Sequence, residues 1–94
     1  PRPARQPAPR KAKAEGPADE ALFQKLRAVR AELARRQGVP AFVVFTDATL
    51  RQMSILAPTD RAGLLQVSGV GEEKARRYGE EMLQAIREYR QEHP

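Results

Sequence analysis

The stretch LLQVSGVGEEKA, residues 64–75, carries two glycines around a single valine, between segments that have a helical pattern. Gly69 and Gly71 permit backbone conformations that bulky or β-branched residues avoid, so the stretch predicts a tight turn. Leu64 and Leu65 belong to a short helix before the turn, and Glu72 begins a helix after it. Two helices joined in this way indicate an all-α fold.

Residues 19–37 have a clear helical pattern of their own. Their large apolar residues recur at steps of three and four, which places them on one helical face: Leu22, Leu26, Val29 and Leu33. Asp19 is suited to cap the N-terminus, and Gly38 is suited to end the helix. The sequence therefore predicts a first helix from Asp19 to about Gln37.

Further helices are predicted beyond this point. Thr46 or Asp47 caps a second helix that runs to about Leu56, and Pro58 with Thr59 opens a short third helix. The inward positions of the second helix are expected to be Leu50, Met53 and Leu56.

Gly79 is expected to separate a fourth helix, which begins at Glu72, from a fifth helix. The inner face of the fifth helix is expected to carry Met82, Leu83, Ile86 and Tyr89. The predicted fold is thus a compact bundle of about five helices without a sheet.

The apolar run Ala41-Phe42-Val43-Val44-Phe45 has no second strand candidate to pair with, and we expect it to be an extended buried connector. Alternation along an extended segment would place Phe42 and Val44 on one side and Val43 and Phe45 on the other. We expect Phe45 to point to the interior. Phe42 is either a core residue or an exposed ring, and the sequence leaves both possibilities open.

The positive charge of the chain, +5 overall, is concentrated at its N-terminus. Residues 1–18 contain five basic residues and one acidic residue, whereas residues 19–94 contain twelve and eleven. The first segment is rich in proline and has no large apolar residue, so we expect a disordered tail before a folded domain at 19–94. The tail is either an interdomain linker or a segment that contacts phosphates. The nearly neutral domain can bind a polyanion only through a local patch.

The sequence shows no pattern for catalysis, metal binding or a cofactor. It contains no cysteine, its only histidine is His93, and it has no glycine-rich phosphate loop. Asp47 and Asp60 are interpreted as acidic residues at helix N-termini rather than as metal ligands. No apolar run approaches the roughly 18 residues of a membrane span, so we expect a cytoplasmic or nuclear location.

The stretch 64–75 also resembles the helix-hairpin-helix pattern of DNA-binding proteins that do not read sequence. The Gly69-Val70-Gly71 turn would leave the backbone N–H groups of residues 70–72 free to hold a phosphate at the following helix N-terminus, with Lys74, Arg76 and Arg77 nearby. Two glutamates, 72 and 73, stand beside the same N-terminus and oppose an anion. The hairpin is therefore either a lesser phosphate site or a packing unit.

A second candidate surface combines the first helix with the loop after it. Its basic residues are Lys25, Arg27, Arg30, Arg35 and Arg36. Phe42 follows the loop, and a basic surface with one exposed ring is typical of proteins that bind single-stranded nucleic acid without sequence preference. The alternative for these charges is an ordinary solvated helix face.

These stretches together resemble the HRDC (helicase and RNase D C-terminal) domain, over about residues 19–89. The resemblance rests on LFQKLRAVRAELA, VPAFVVFTDATLRQM, the turn at 57–59 and LLQVSGVGEEKARRYGEEMLQAI, in the order and spacing of that family. The aromatic position after Val-Pro is often tyrosine in the family, and here it is Phe42.

The resemblance implies a non-catalytic bundle of about five helices from a RecQ-type DNA helicase in the bacterial nucleoid. It also implies weak binding of single-stranded or partly single-stranded DNA that adjusts which structures the helicase engages. Two alternatives remain open at this point. The domain is instead a protein-interaction module, docking on its own helicase core or on other repair proteins, or it belongs to a UvrD-like helicase or an RNase D-type exonuclease. We expect the isolated domain to be a monomer.

Overall fold

The computed structural model describes residues 16–93, so the predicted tail, residues 1–18, lies outside the described residues except at its last three positions. Five α-helices form this part of the chain, and no strand occurs within it. The helices are α1 (Glu20–Gln37), α2 (Ala41–Val44), α3 (Asp47–Leu56), α4 (Arg61–Leu64) and α5 (Glu72–Glu92). The all-α prediction is confirmed.

α1 begins and ends as the sequence predicts. The Asp19 carboxylate accepts a hydrogen bond from the Leu22 N–H at 3.2 Å, which satisfies one of the free donors of the first turn. Gly38 ends the helix in the left-handed conformation, with φ +70°, and its N–H donates to carbonyls of the last turn.

The prediction for residues 41–45 is wrong in its backbone conformation. Ala41–Val44 is a single helical turn, and only Phe45 is extended, with φ −152° and ψ 145°. The turn satisfies its own backbone groups: the Val43 N–H donates to the Pro40 carbonyl at 3.0 Å, and the Phe45 N–H donates to the Ala41 carbonyl at 3.3 Å. Because no partner strand is present in the described residues, the buried N–H and C=O groups of this segment form hydrogen bonds within a helical turn instead.

α3 and α4 also differ from the prediction in detail. Thr46 caps α3, as expected, and Leu50 and Met53 are buried, but Leu56 is exposed at the end of the helix. α4 begins at Arg61, with Asp60 as its cap, and is therefore shorter than the helix expected to open at Pro58 and Thr59.

Gly79 does not interrupt α5, which runs without a break from Glu72 to Glu92. A Cβ at this position would lie 3.1 Å from Leu64 Cδ2, so the glycine lets α4 pack closely against the helix. The expectation of separate fourth and fifth helices is wrong because the glycine serves packing and not helix termination. The helix count stays at five because α2 was not foreseen.

The core lies where α1 packs against α2, α3 and α5. Its fully buried side chains come from every helix and include Leu26, Val44, Leu50, Leu64 and Ile86. None of the helices in the described part of the chain combines the length and the apolar character that crossing a membrane requires.

Candidate nucleic-acid interface

The basic residues of α1 do not share one face. Lys25 and Arg36 are three turns apart and lie along the side that faces α5. Arg27 and Arg30 lie along the opposite side, towards α2 and α3. We call these two sides the α5 edge and the α3 edge. The α3 edge also includes Asp47 and Arg51 of α3, and we count α2, the turn that carries Phe42, with it because Arg30 contacts the Phe45 carbonyl at the end of that turn.

The α5 edge is neutralised by acidic residues of the neighbouring helix. Lys25 Nζ lies 3.5 Å from Glu88 Oε1, and Arg36 Nη2 lies 3.1 Å from Glu81 Oε2. A groove of about 380 Å³ runs between the two helices along this line. Arg35, on the outer side of α1, pairs with Glu32 of the same helix. These cations therefore add little positive potential to the surface.

Arg30 is buried, contrary to the expectation that it belongs to an exposed basic face. Its position four residues after Leu26 and three before Leu33 turns it towards the core. Arg30 Nη1 donates to the Phe45 carbonyl at 3.0 Å and lies 2.7 Å from Asp47 Oδ1. The guanidinium thus ties α1 to the junction between α2 and α3.

Asp47 is the exposed partner in this contact, with 67% of its side chain accessible. The hydrogen bond and charge of Arg30 lower the pKa of the Asp47 carboxyl below its ordinary value, and the charges of Arg27 and Arg51 add smaller effects. Arg30 is thus in direct contact with this carboxylate, and Arg51 lies one turn after it on α3. Arg51 was not among the residues predicted from the sequence. Its position four residues after Asp47 on a predicted helix is the signal that could have identified it.

Phe42 and Phe45 face opposite environments although they are three residues apart. Phe42 is 67% exposed, whereas Phe45 is 1% exposed and meets Tyr78 edge to face, with ring centroids 5.9 Å apart. Val43 is exposed and Val44 is buried, so a helical turn, and not strand alternation, sets this pattern. The exposed ring stands on the α3 edge, on a turn held by the buried phenylalanine.

The Gly69-Val70-Gly71 hairpin offers fewer free backbone N–H groups than the sequence suggests. The Val70 side chain is fully buried, and its N–H donates to the Val67 carbonyl at 3.1 Å, so this N–H does not point to a ligand. Gly69 has φ +96°, and a Cβ there would lie 2.1 Å from Thr49 Oγ1. Gly71 has an ordinary φ of −99° and caps α5. Only Gly69 needs to be glycine for its conformation.

The cations after the hairpin also have partners. Arg77 Nε donates to Glu73 Oε2 at 2.8 Å, and Arg76 pairs with the other oxygen. These hydrogen bonds, first from Arg76 and then from Arg77, lower the pKa of the Glu73 carboxyl. Lys74 is half-buried, with Nζ 5.7 Å from the centroid of the Phe45 ring. Glu73 thus offsets the positive charge near this helix end, as the sequence analysis anticipated for its glutamates.

Comparison with known proteins agrees with this fold. The family model described as the HRDC domain matches residues 19–86. The ATP-dependent DNA helicase RecQ of Bacillus subtilis is 51% identical over 71 residues, which is 76% of this chain and 12% of the helicase. The ATP-dependent DNA helicase UvrD2 of Mycobacterium tuberculosis is 45% identical over 69 residues, 73% of this chain and 10% of that protein.

A solved structure, D. radiodurans RecQ HRDC domain 3, superposes with a TM-score of 0.71 at 43% identity, covering 72% of this chain and 90% of that one. The chain spans only about a tenth of the helicases it matches, but it spans nearly all of this single-domain structure. A family match over most of the helical bundle, together with identities well above 30%, establishes that the chain belongs to the HRDC domain family.

Proposed function

We propose that this HRDC domain is a non-catalytic accessory module of a RecQ-type DNA helicase that binds single-stranded or partly single-stranded DNA weakly through its α3 edge. The exposed ring of Phe42 is the single observation that carries the proposal. A large aromatic side chain that contributes nothing to the core supplies a stacking surface, and the exposed arginines of the α3 edge supply phosphate contacts. The similarity to ATP-dependent DNA helicases supports the same context.

The proposed interface is narrower than the residue set expected from the sequence. Phe42 and Arg27 are its main members, because both are exposed on the α3 edge. Gly69 and Gly71 contribute through hairpin backbone, and Lys74 and Arg77 make at most a minor contribution. Few phosphates are neutralised by so small a patch, so we expect a Kd of roughly 10 µM or weaker.

The basic segment at residues 1–18 is proposed to add to this affinity. It carries five basic residues against one acidic residue, and it joins the domain next to the N-terminus of α1. Cations tethered at this point can strengthen binding to a polyanion even if they adopt no fixed position on it. The folded domain begins at residue 19 in this proposal.

Phe42→Ala tests the proposal. Binding of a fluorescent oligothymidylate should weaken by about 1–3 kcal/mol, while the melting temperature changes little because the ring is exposed. Phe42→Tyr should keep most of the affinity, since the stacking surface is retained. Leu56→Ala is the matched control, because it also removes an exposed apolar side chain, at the far end of α3. Undiminished affinity in a folded Phe42→Ala domain would refute the stacking site.

The α5 edge favours a second candidate function, a contact with another protein such as the helicase core. Its groove is lined by Ala28, Val29 and Ala85 as well as by the paired charges. A surface with balanced charges suits a protein better than a polyanion. In that case the domain would show negligible DNA affinity at moderate salt, and Phe42→Ala would change nothing in the binding assay.

A further inference from the structure

Two arginines from different helices meet on the α3 edge. The Arg51 guanidinium carbon lies 4.1 Å from the centroid of the Phe23 ring, and that of Arg27 lies 6.0 Å from the same centroid. Because both guanidiniums approach one ring, their central carbons lie within about 10 Å of each other. Contact with an aromatic ring stabilises cations in place without neutralising them. The surface therefore presents two positive charges around one ring.

Neither charge is firmly paired with an acidic residue. Arg27 reaches the Gln24 side-chain oxygen at 3.4 Å, and within residues 16–93 it has no carboxylate inside 4.0 Å. Arg51 Nη1 lies 3.5 Å from Glu20 Oε1, but both side chains are at least half exposed. An exposed ion pair of this kind is worth little and is readily exchanged for a phosphate.

A groove leads from Arg51 towards the hairpin. Its volume is about 220 Å³, and its lining is Ala48, Thr49, Arg51, Gln52, Ser68 and Gly69. One guanidinium, hydroxyl groups, an amide and exposed backbone are the kinds of group that contact the sugar and phosphate of nucleic acids. The groove thus connects the arginine pair with the second surface singled out from the sequence.

Asp47 lies where it opposes an incoming anion. Its exposed carboxylate contacts Arg30 at 2.7 Å and lies one turn before Arg51 on α3. The contact with Arg30 and, to a smaller extent, the charges of Arg27 and Arg51 lower the pKa of the Asp47 carboxyl. A phosphate near the same arginines would be subject to the same attraction and, in addition, to repulsion from this carboxylate.

We propose that Arg27 and Arg51 hold a backbone phosphate of single-stranded DNA, and that the Asp47 carboxylate competes with this phosphate and keeps the affinity low. The assignment to DNA rests on the proposed function. The phosphate site itself does not require a stacked base. Removal of the Asp47 charge should therefore strengthen binding, which is an unusual direction for a substitution inside an interface.

Asp47→Asn and Asp60→Asn form a matched pair for the first arm of the test. Each removes one negative charge at the start of a helix. Asparagine keeps an oxygen that can accept from Arg30 Nη1 at position 47, and it can keep the cap that Asp60 makes to the Gly63 N–H at 2.8 Å. We expect Asp47→Asn to bind oligothymidylate about 3- to 10-fold more tightly and Asp60→Asn less than about 2-fold more tightly. Adding Arg51→Gln to Asp47→Asn should remove the gain, whereas adding Arg61→Gln should not.

The second arm uses inorganic pyrophosphate and the side-chain Nε–Hε NMR signals of Arg27 and Arg51. In Asp47→Asn these signals should shift saturably, and at lower pyrophosphate concentration than in Asp60→Asn. If they do so while no variant binds DNA, the phosphate site stands, and both its assignment to DNA and the proposed function fail. If the two variants respond alike in both arms, or if the arginine signals do not move, Asp47 does not compete for a phosphate at this site and the inference is overturned.

Discussion

The two edges of α1 carry similar numbers of basic residues but present different surfaces. On the α5 edge, Lys25 and Arg36 face glutamates of α5, and the charges cancel across the groove. On the α3 edge, one arginine is buried as a structural tie, and Arg27 and Arg51 rest on a ring near the exposed carboxylates of Asp47 and Glu20. The comparison shows that a basic residue of α1 is available to bind an anion only where the neighbouring helix places no acidic residue against it.

The largest effect should come from Phe45, the core residue that anchors the turn of the α3 edge. Phe45→Ala removes a ring that is 1% exposed, and we expect a loss of about 3–5 kcal/mol in the free energy of unfolding. Denaturant unfolding measures it, with Phe42→Ala as the exposed counterpart on the same turn. Equal losses for the two variants would mean that the turn does not separate a buried ring from an exposed one.

Gly69 should have the next largest effect, because it joins the hairpin to α3. Gly69→Ala places a Cβ against Thr49 at a φ of +96°, which should cost about 2–3 kcal/mol of stability. Gly71→Ala is the matched control, since its φ is ordinary and nothing lies within 4 Å of the added Cβ. Thermal unfolding compares the two, and a control that is as unstable as Gly69→Ala would contradict this account of the hairpin.

Arg30 should prove to be a structural residue and not a DNA ligand. Arg30→Met keeps most of the buried volume but leaves the Phe45 carbonyl without its donor, so we expect a loss of about 1–2 kcal/mol in stability. The effect is moderate because Arg30 Nε is itself buried without a hydrogen-bond partner in the described part of the chain. Arg27→Met should leave stability nearly unchanged in the same unfolding assay. A larger loss of stability in Arg27→Met than in Arg30→Met would contradict this assignment.

The smallest expected effect is on DNA affinity, and it compares the loss of one positive charge from each edge. Arg27→Gln and Arg36→Gln each remove one positive charge from α1. Arg27→Gln should weaken oligonucleotide binding by about 0.5–1 kcal/mol and reduce its salt dependence, while Arg36→Gln should change little because Glu81 already offsets that charge. Binding titrations at two salt concentrations measure both quantities. Similar losses would show that the edges are electrostatically equivalent.

Local sequence patterns determined much of the fold. The apolar spacing and the caps at Asp19 and Gly38 set the bounds of α1, since both depend on neighbours along the chain. The same is true of the cap at Thr46 and of the positive φ at Gly69. The family resemblance also came from the sequence, because its motifs are contiguous stretches with fixed spacing.

Tertiary contacts decided the rest. The sequence could not show that Gly79 admits Leu64 and leaves α5 unbroken, or that residues 41–44 form a helical turn. Nor could it separate Arg30 from Arg27, because burial depends on Phe45 and Asp47 from another part of the chain. Arg51 entered the candidate site only when α3 placed it over Phe23. Helix formation depends on residues that are close in sequence. The net charge of a surface patch depends on residues from several distant segments that meet only in the folded chain.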